Sequence, residues 1–372
     1  MRHTTTFPIG LQCGAAVLGF AVTLPAFALD GWHLLDSTAI AGPSTAWDYV
    51  SLDAQANRLF IGHRKTGLQV FDLTTRKVIK IIEGTSTASS NGAVLIAEFD
   101  LGLSTNEDGT LTPFSLTTLE AKSPVKLGTE LDSAHYDSVT KRLLVNMASD
   151  KEGTGLIVLE VPSLKQVGVV RVTTKKPEHA EPDGNGNLLM ASRDESTVYR
   201  ISMKDMKVID QWPTPGCVQT NGLAYDKIHQ RVFLGCRGTA PVAALTTPGP
   251  VTKPSFTVLN TQTGAIIYTH EIGGGNDAVI FDAELRRVFL VNGVNSQLSV
   301  FEQTDADTYK PTESLGTGNG VRTMVMHPTS KRIYAVTGEG TADYSKKITT
   351  SVSPYYANTF FADRFVVQTY GK

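Results

Sequence analysis

The chain has 372 residues, 41% of them hydrophobic, and a formal net charge of −2. That composition is ordinary for a globular protein. The near-neutral balance gives no electrostatic reason to expect a nucleic acid or other polyanion as partner.

The first 28 residues read as an export leader. Arg2 and His3 open it, an apolar stretch runs from Leu11 to Leu24, and Ala26-Phe27-Ala28 is a small-x-small cleavage site. That apolar run is shorter than the ~20 residues of a spanning helix. No other segment reaches membrane-spanning length, so the expectation is an exported protein, periplasmic or secreted, that is not integral to a membrane and is a monomer. Cys13 leaves with the leader. Cys217 and Cys236 stay, 19 residues apart, one before an inner strand and one at the end of the next strand. Those ends are neighbours in an antiparallel pair, so a disulfide is expected. Two buried free thiols are the alternative, and a metal site lacks a Cys-x-x-Cys or a clustered His.

From residue 29 onward a phrase recurs: an acidic turn residue, an Arg about five positions later, then a short apolar run. It reads Asp53 with Arg58-Leu59-Phe60-Ile61, Asp137 with Arg142-Leu143-Leu144-Val145, Asp226 with Arg231-Val232-Phe233-Leu234, and Asp282 with Arg287-Val288-Phe289-Leu290. His327 with Arg332-Ile333-Tyr334 is a variant, and Asp183 with Asn187-Leu188-Leu189 a degenerate copy. Aligned on Arg58, Leu101, Arg142, Asn187, Arg231, Arg287 and Arg332, the spacings are 43, 41, 45, 44, 56 and 45. Seven units of that size suit four-stranded propeller blades. The expected fold is therefore all-β: one seven-bladed propeller over 29–372, with blades starting near 47, 90, 131, 177, 220, 276 and 321. The Trp32-His33-Leu34-Leu35 strand would complete the last blade and remove an open sheet edge. Insertions at Thr239–Ser255 and Thr341–Thr359 fall between second and third strands.

The Arg-Val-Phe-Leu-Val-Asn and Arg-Ile-Tyr-Ala-Val-Thr stretches resemble the YVTN repeat. Trp47-Asp48-Tyr49, the Cys217 to Cys236 segment with Asn221-Gly222-Leu223-Ala224, and Val321-Arg322-Thr323-Met324 are similar to exported YncE-like β-propellers. The resemblance spans nearly the whole chain after the leader and implies a seven-bladed periplasmic propeller. It implies no particular activity, although some members of the family are labelled DNA-binding.

Ten residues before each repeat position (nine in blade four) stand Asp48, Asn91, Asp132, Glu178, Asn221, Asp277 and Arg322. Each is placed near the start of an inner strand, so the seven should meet at the mouth of the central channel. Four carboxylates against one Arg would raise some of their pKa values or favour a bound cation such as calcium, with Asp48, Glu178, Asn221 and Asp277 as ligands. The alternative is that these side chains satisfy strand ends and one another around a water-filled pore. Trp47, Tyr49, His179, Thr220 and Asn276 flank the ring and could add selectivity. The repeated turn Asp residues read as caps of their own turns, and His63-Arg64-Lys65-Thr66 as a solvated basic loop.

No catalytic signature is present: no His-Glu-x-x-His and no Gly-x-Ser-x-Gly. The expected function is a non-enzymatic scaffold that binds a small polar ligand, a cation or a protein partner at the funnel face. A metal-dependent, lactonase-like hydrolase using the carboxylate ring is one alternative. A single-stranded DNA-binding propeller is another.

Overall fold

In a computed structural model, residue 1 and residues 30–147, 153–239, 251–346 and 357–372 are described. The leader reading and the tips of both insertions (240–250 and 347–356) lie outside these residues. Trp32–Lys372 forms one compact unit.

Its strands make seven separate four-stranded antiparallel sheets. The innermost strands are Val50–Asp53, Ser90–Ile96, Leu131–Asp137, Pro177–Pro182, Thr220–Asp226, Asn276–Asp282 and Met324–Met326. Each contacts the innermost strands of the blades before and after it, and blade seven returns to blade one, so the ring is closed. The expected seven-bladed propeller is the observed fold. Among the described residues, helix is confined to two short turns, Thr85–Ala88 and Ala97–Phe99.

The hydrophobic code of the second strand explains the stacking. Successive side chains on a strand point to opposite faces. In Arg58–Gly62 every residue is buried, with Leu59 and Ile61 packed towards blade seven and Phe60 towards blade two. In Arg142–Met147, Leu143 and Val145 face blade two, and Leu144 faces blade four. A blade is thus apolar on both faces, and there is one core cluster for each of the seven blade-to-blade interfaces.

The recurring Asp and Arg have structural roles. Asp53, Asp137, Asp226 and Asp282 pair in register with Arg58, Arg142, Arg231 and Arg287 across the first hairpin. Each Asp accepts a backbone N–H from its own turn, as in Ala56 N to Asp53 Oδ1 at 3.1 Å and Leu285 N to Asp282 Oδ1 at 2.8 Å. The residue just before each repeat position has positive φ, from Asn57 (51°) and Asp100 (49°) to Lys331 (56°). This left-handed turn residue is why the phrase has fixed length. The Arg then reaches sideways: Arg58 donates to the Leu116 carbonyl of blade two, Arg142 to the Lys204 carbonyl of blade four at 2.7 Å, and Arg231 pairs with Asp307 of blade six at 2.7 Å.

Closure uses the two ends of the chain. His33–Ile40 pairs antiparallel with the C-terminal strand Thr359–Gly371, from His33 opposite Gly371 to Ile40 opposite Phe365. The expected N-terminal strand therefore completes blade seven. Trp32 locks the entry: its backbone N–H donates to Glu313 at 2.6 Å, and its ring packs edge-on against Phe289 at 5.0 Å. Cys217 and Cys236 are joined in a disulfide with Cα atoms 5.2 Å apart, at the end of blade five's first hairpin.

Trp32 is 5% exposed, so Trp32→Ala should cost about 3–5 kcal/mol, the usual range for a buried aromatic. A denaturant titration would show the loss. An unchanged midpoint would mean that the N-terminal strand does not latch the ring.

Candidate functional site

Along each inner strand the residue that starts the blade is followed, one and three positions later, by side chains that face the axis. A cavity of about 820 Å³ lies there, and the residues at these positions in six of the blades are among those that line it. The upper layer contains Tyr49, Ser133, His179 and Thr323 alongside the small Gly92 and Ala278; the layer below contains Ser51, Val94, His135, Glu181, Ile280 and Val325. Blade five, with Gly222 and Ala224 at these positions, contributes no lining side chain. The cavity ends near Ala54, Asp282 and Pro328, at the first-hairpin face.

The ring of seven polar residues sits above this cavity, and it does more stapling than open binding. Asn91 donates to the Leu131 carbonyl at 2.5 Å, and Asn221 donates to Asp277 at 2.9 Å. The backbone carbonyls of ring residues are held from adjacent blades: Asp132 by Thr105 (2.8 Å), Glu178 by Asn146 (3.2 Å) and Asp48 by Thr323 (2.7 Å). Each bond ties one blade to the next, through the side chain at Asn91 and Asn221 and through the main chain at Asp48, Asp132 and Glu178.

Arginines change the electrostatics that the sequence suggested. Arg64 binds Asp48, Asn91 and Glu107 together; Arg193 pairs with Glu178 at 3.1 Å; Arg237 pairs with Asp277. Arg322 stands 3.6 Å from Asp48. The mouth thus holds five carboxylates against four guanidiniums rather than four against one. Arg64 is no part of a solvated loop, and its neighbour His63 is fully buried, bonded to Gln69 at 2.9 Å. Asp48, Glu178 and Asp277, expected with Asn221 as cation ligands, each bear an arginine instead. Among the described residues no group of three or more His, Cys, Asp or Glu is disposed to hold a metal ion.

Three flanking residues are buried. Trp47 is 2% exposed, donates its indole N–H to the Val336 carbonyl at 3.2 Å, and packs edge-on against Phe360 and Phe365. Asn276 is fully buried and donates to the Val291 carbonyl at 3.0 Å; a Cβ on Gly235 would overlap it, so that glycine makes its niche. Thr220 is likewise buried, hydrogen-bonded to Thr214 and the Cys217 carbonyl beside the disulfide. Tyr49, His179 and Asp277 do line the cavity.

Asp132 is the exception in the mouth: no hydrogen bond or ion pair from another described side chain reaches its carboxylate. Burial, with the charges of Asp48 and Glu178, lifts it to about 7. Burial and Asp48 also raise Glu178, against the pull of Arg193 and Arg237. Tyr49 is pushed well up by burial and by the same carboxylates, so its phenol stays protonated. It lies over blade two, where a Cβ on Gly92 would come within 2.5 Å of the Tyr49 Cβ.

Beside Tyr49 and in the layer below it runs a polar track on blades three and four. Ser133 is 3.0 Å from His135 Nε2 and accepts from Asn146 at 2.8 Å; the other His135 nitrogen bonds the Ala180 carbonyl. Burial and the neighbouring His179 push His135 down to about 3, so it is neutral. The two imidazoles meet edge to face at 5.3 Å, and His179 Nε2 bonds Glu181 at 2.9 Å. Sequence reading identified His179 but missed Ser133, His135 and Glu181, which occupy the same two registers. It also missed Arg64, Arg193 and Arg237, all six residues after their repeat positions.

No protein-family model matches the chain, and no curated protein matches it. Among solved structures it is similar to a chain of the Kuenenia stuttgartiensis hydrazine synthase, with a TM-score of 0.67 and 13% identity over 83% of this chain and 95% of that one. At that identity the likeness shows the propeller fold alone.

The Asp132 shift has a sign. Its pKa is raised on folding, so the native state binds the extra proton between about 4 and 7, and stability falls as pH rises through that window. His135 acts oppositely, costing stability as pH falls below the unfolded value near 6.5. Asp132→Asn should therefore gain about 1–3 kcal/mol at pH 8 and nothing near pH 4. Paired melts at both pH values check this; an equal change at both would remove the buried-carboxylate account.

Proposed function

We propose that this protein is an exported, non-enzymatic binding scaffold that holds a small polar organic molecule in its central channel. The observation that carries the reading is the axial cavity of about 820 Å³, where side chains from six blades converge. Ligand sites of comparable size commonly combine an apolar wall with a few placed polar groups, and this cavity has both. The engaged state of Asp48, Glu178 and Asp277 favours binding over cation-dependent hydrolysis, because their oxygens already accept from guanidiniums. With five carboxylates against four guanidiniums, the mouth carries no excess positive charge to hold a phosphate backbone. Export is supported by the disulfide, which persists in oxidising compartments. Among the described residues no helix is long and apolar enough to cross a membrane.

Native mass spectrometry of the protein recovered from its export compartment tests the proposal. The expected result is an added organic mass that is lost in Ile280→Trp, which fills the channel from blade six while leaving the melting temperature within a few degrees. A plugged variant that keeps the same load would place the ligand elsewhere and overturn the reading.

A further inference from the structure

The geometry points to an organic cation as the channel's ligand: a protonated amine on an apolar body, its ammonium seated at the His179–Glu181 pair. The inference rests on the channel being a ligand site, as proposed above, and adds the chemistry.

Charge complementarity is the first support. Among the described residues lining the cavity, the charged ones are Glu181, Asp277 and Asp282, and none is Lys or Arg. The arginines stop at the mouth, one register above. An anionic head entering the channel would leave its counter-charges behind; a cationic head would move towards carboxylates.

Availability is the second. Asp277 is engaged by Arg237 and Asn221, and Asp282 by Lys331 at 2.8 Å, with side-chain exposures of 17% and 12%. Glu181 and His179 are open to the cavity, with exposures of 38% and 34%. With Nε2–H donated to Glu181, the Nδ1 lone pair of His179 is left as an acceptor, and the carboxylate keeps further lone pairs. An ammonium has three donors and no acceptor, which matches this acceptor pair. His135 offers no such capacity, since both its nitrogens are used and it is 8% exposed.

The wall is two-sided, which is the third support. In a seven-fold ring blades six and seven stand across the axis from blades three and four. They present Ala278, Ile280 and Val325, with Thr323 as the one polar side chain, at the registers that carry Ser133, His135, His179 and Glu181 opposite. An amine with an apolar body satisfies both sides at once.

Calorimetry at pH 7 with phenylbutylamine, phenylbutanol and phenylbutanoate separates head charge from body. The amine should bind on the order of tenfold more tightly than the alcohol, with the carboxylate weakest. Glu181→Gln should reduce amine binding to the level of the alcohol. Equal binding of amine and alcohol, or an amine preference that survives Glu181→Gln, would overturn the cation assignment while leaving the channel as a binding site. If none of the three binds, or all bind Ile280→Trp as well as wild type, the channel reading fails with it.

Discussion

The pairing of His33–Ile40 with Thr359–Gly371 is the constraint on which the rest depends. Each blade is apolar on both faces, so a row of seven would leave two large hydrophobic surfaces open. Only a ring buries all seven interfaces, and only a non-covalent seam can close a ring made from one chain. Here the seam is a strand pairing reinforced by Trp32 and by the core of Ile40, Trp47, Tyr334 and Phe365. It brings Arg322 of blade seven to Asp48 of blade one.

Once the ring is closed, two polar layers divide the work. The mouth is a set of inter-blade ties in which arginines and carboxylates neutralise one another, as at Arg64 with Asp48, Asn91 and Glu107. Such semi-buried pairs are strongly coupled, and removal of one partner leaves a stranded charge. The register below faces the cavity instead, and its ionisable groups cluster on blades three and four rather than recurring in every blade. A repeated residue in this protein is therefore a residue of architecture, and the irregular ones are the candidates for function.

That distinction sets how much the sequence revealed. The Asp-to-Arg phrase is legible because it encodes a hairpin with one left-handed residue and a sideways staple, both local in the chain. The seven-fold count and the closing strand follow from it. The disulfide follows from neighbouring strand ends. The mouth ring is legible as a ring but its charge is not, because Arg64 and Arg193 lie sixteen and fifteen residues beyond Asp48 and Glu178, and Arg237 lies forty residues before Asp277, each just past the end of a second strand. Aligning the position six after each repeat residue would have exposed them. Trp47 looked like a rim aromatic because Asp48 follows it; alternation sends its side chain into the blade seven interface instead. Ser133, His135 and Glu181 carry no repeat signal at all, and only the inward register, with Tyr49 and His179 as its visible members, picks them out.

The most direct test of the account is the seam itself. Ala39 and Val366 are cross-strand partners in it, so Ala39→Cys with Val366→Cys should form an intramolecular disulfide on mild oxidation of the folded protein, with a raised melting temperature. Two thiols that stay open to alkylation, or a cross-link that forms only between molecules, would mean that the ends of the chain do not meet, and the shared mouth and channel would go with them.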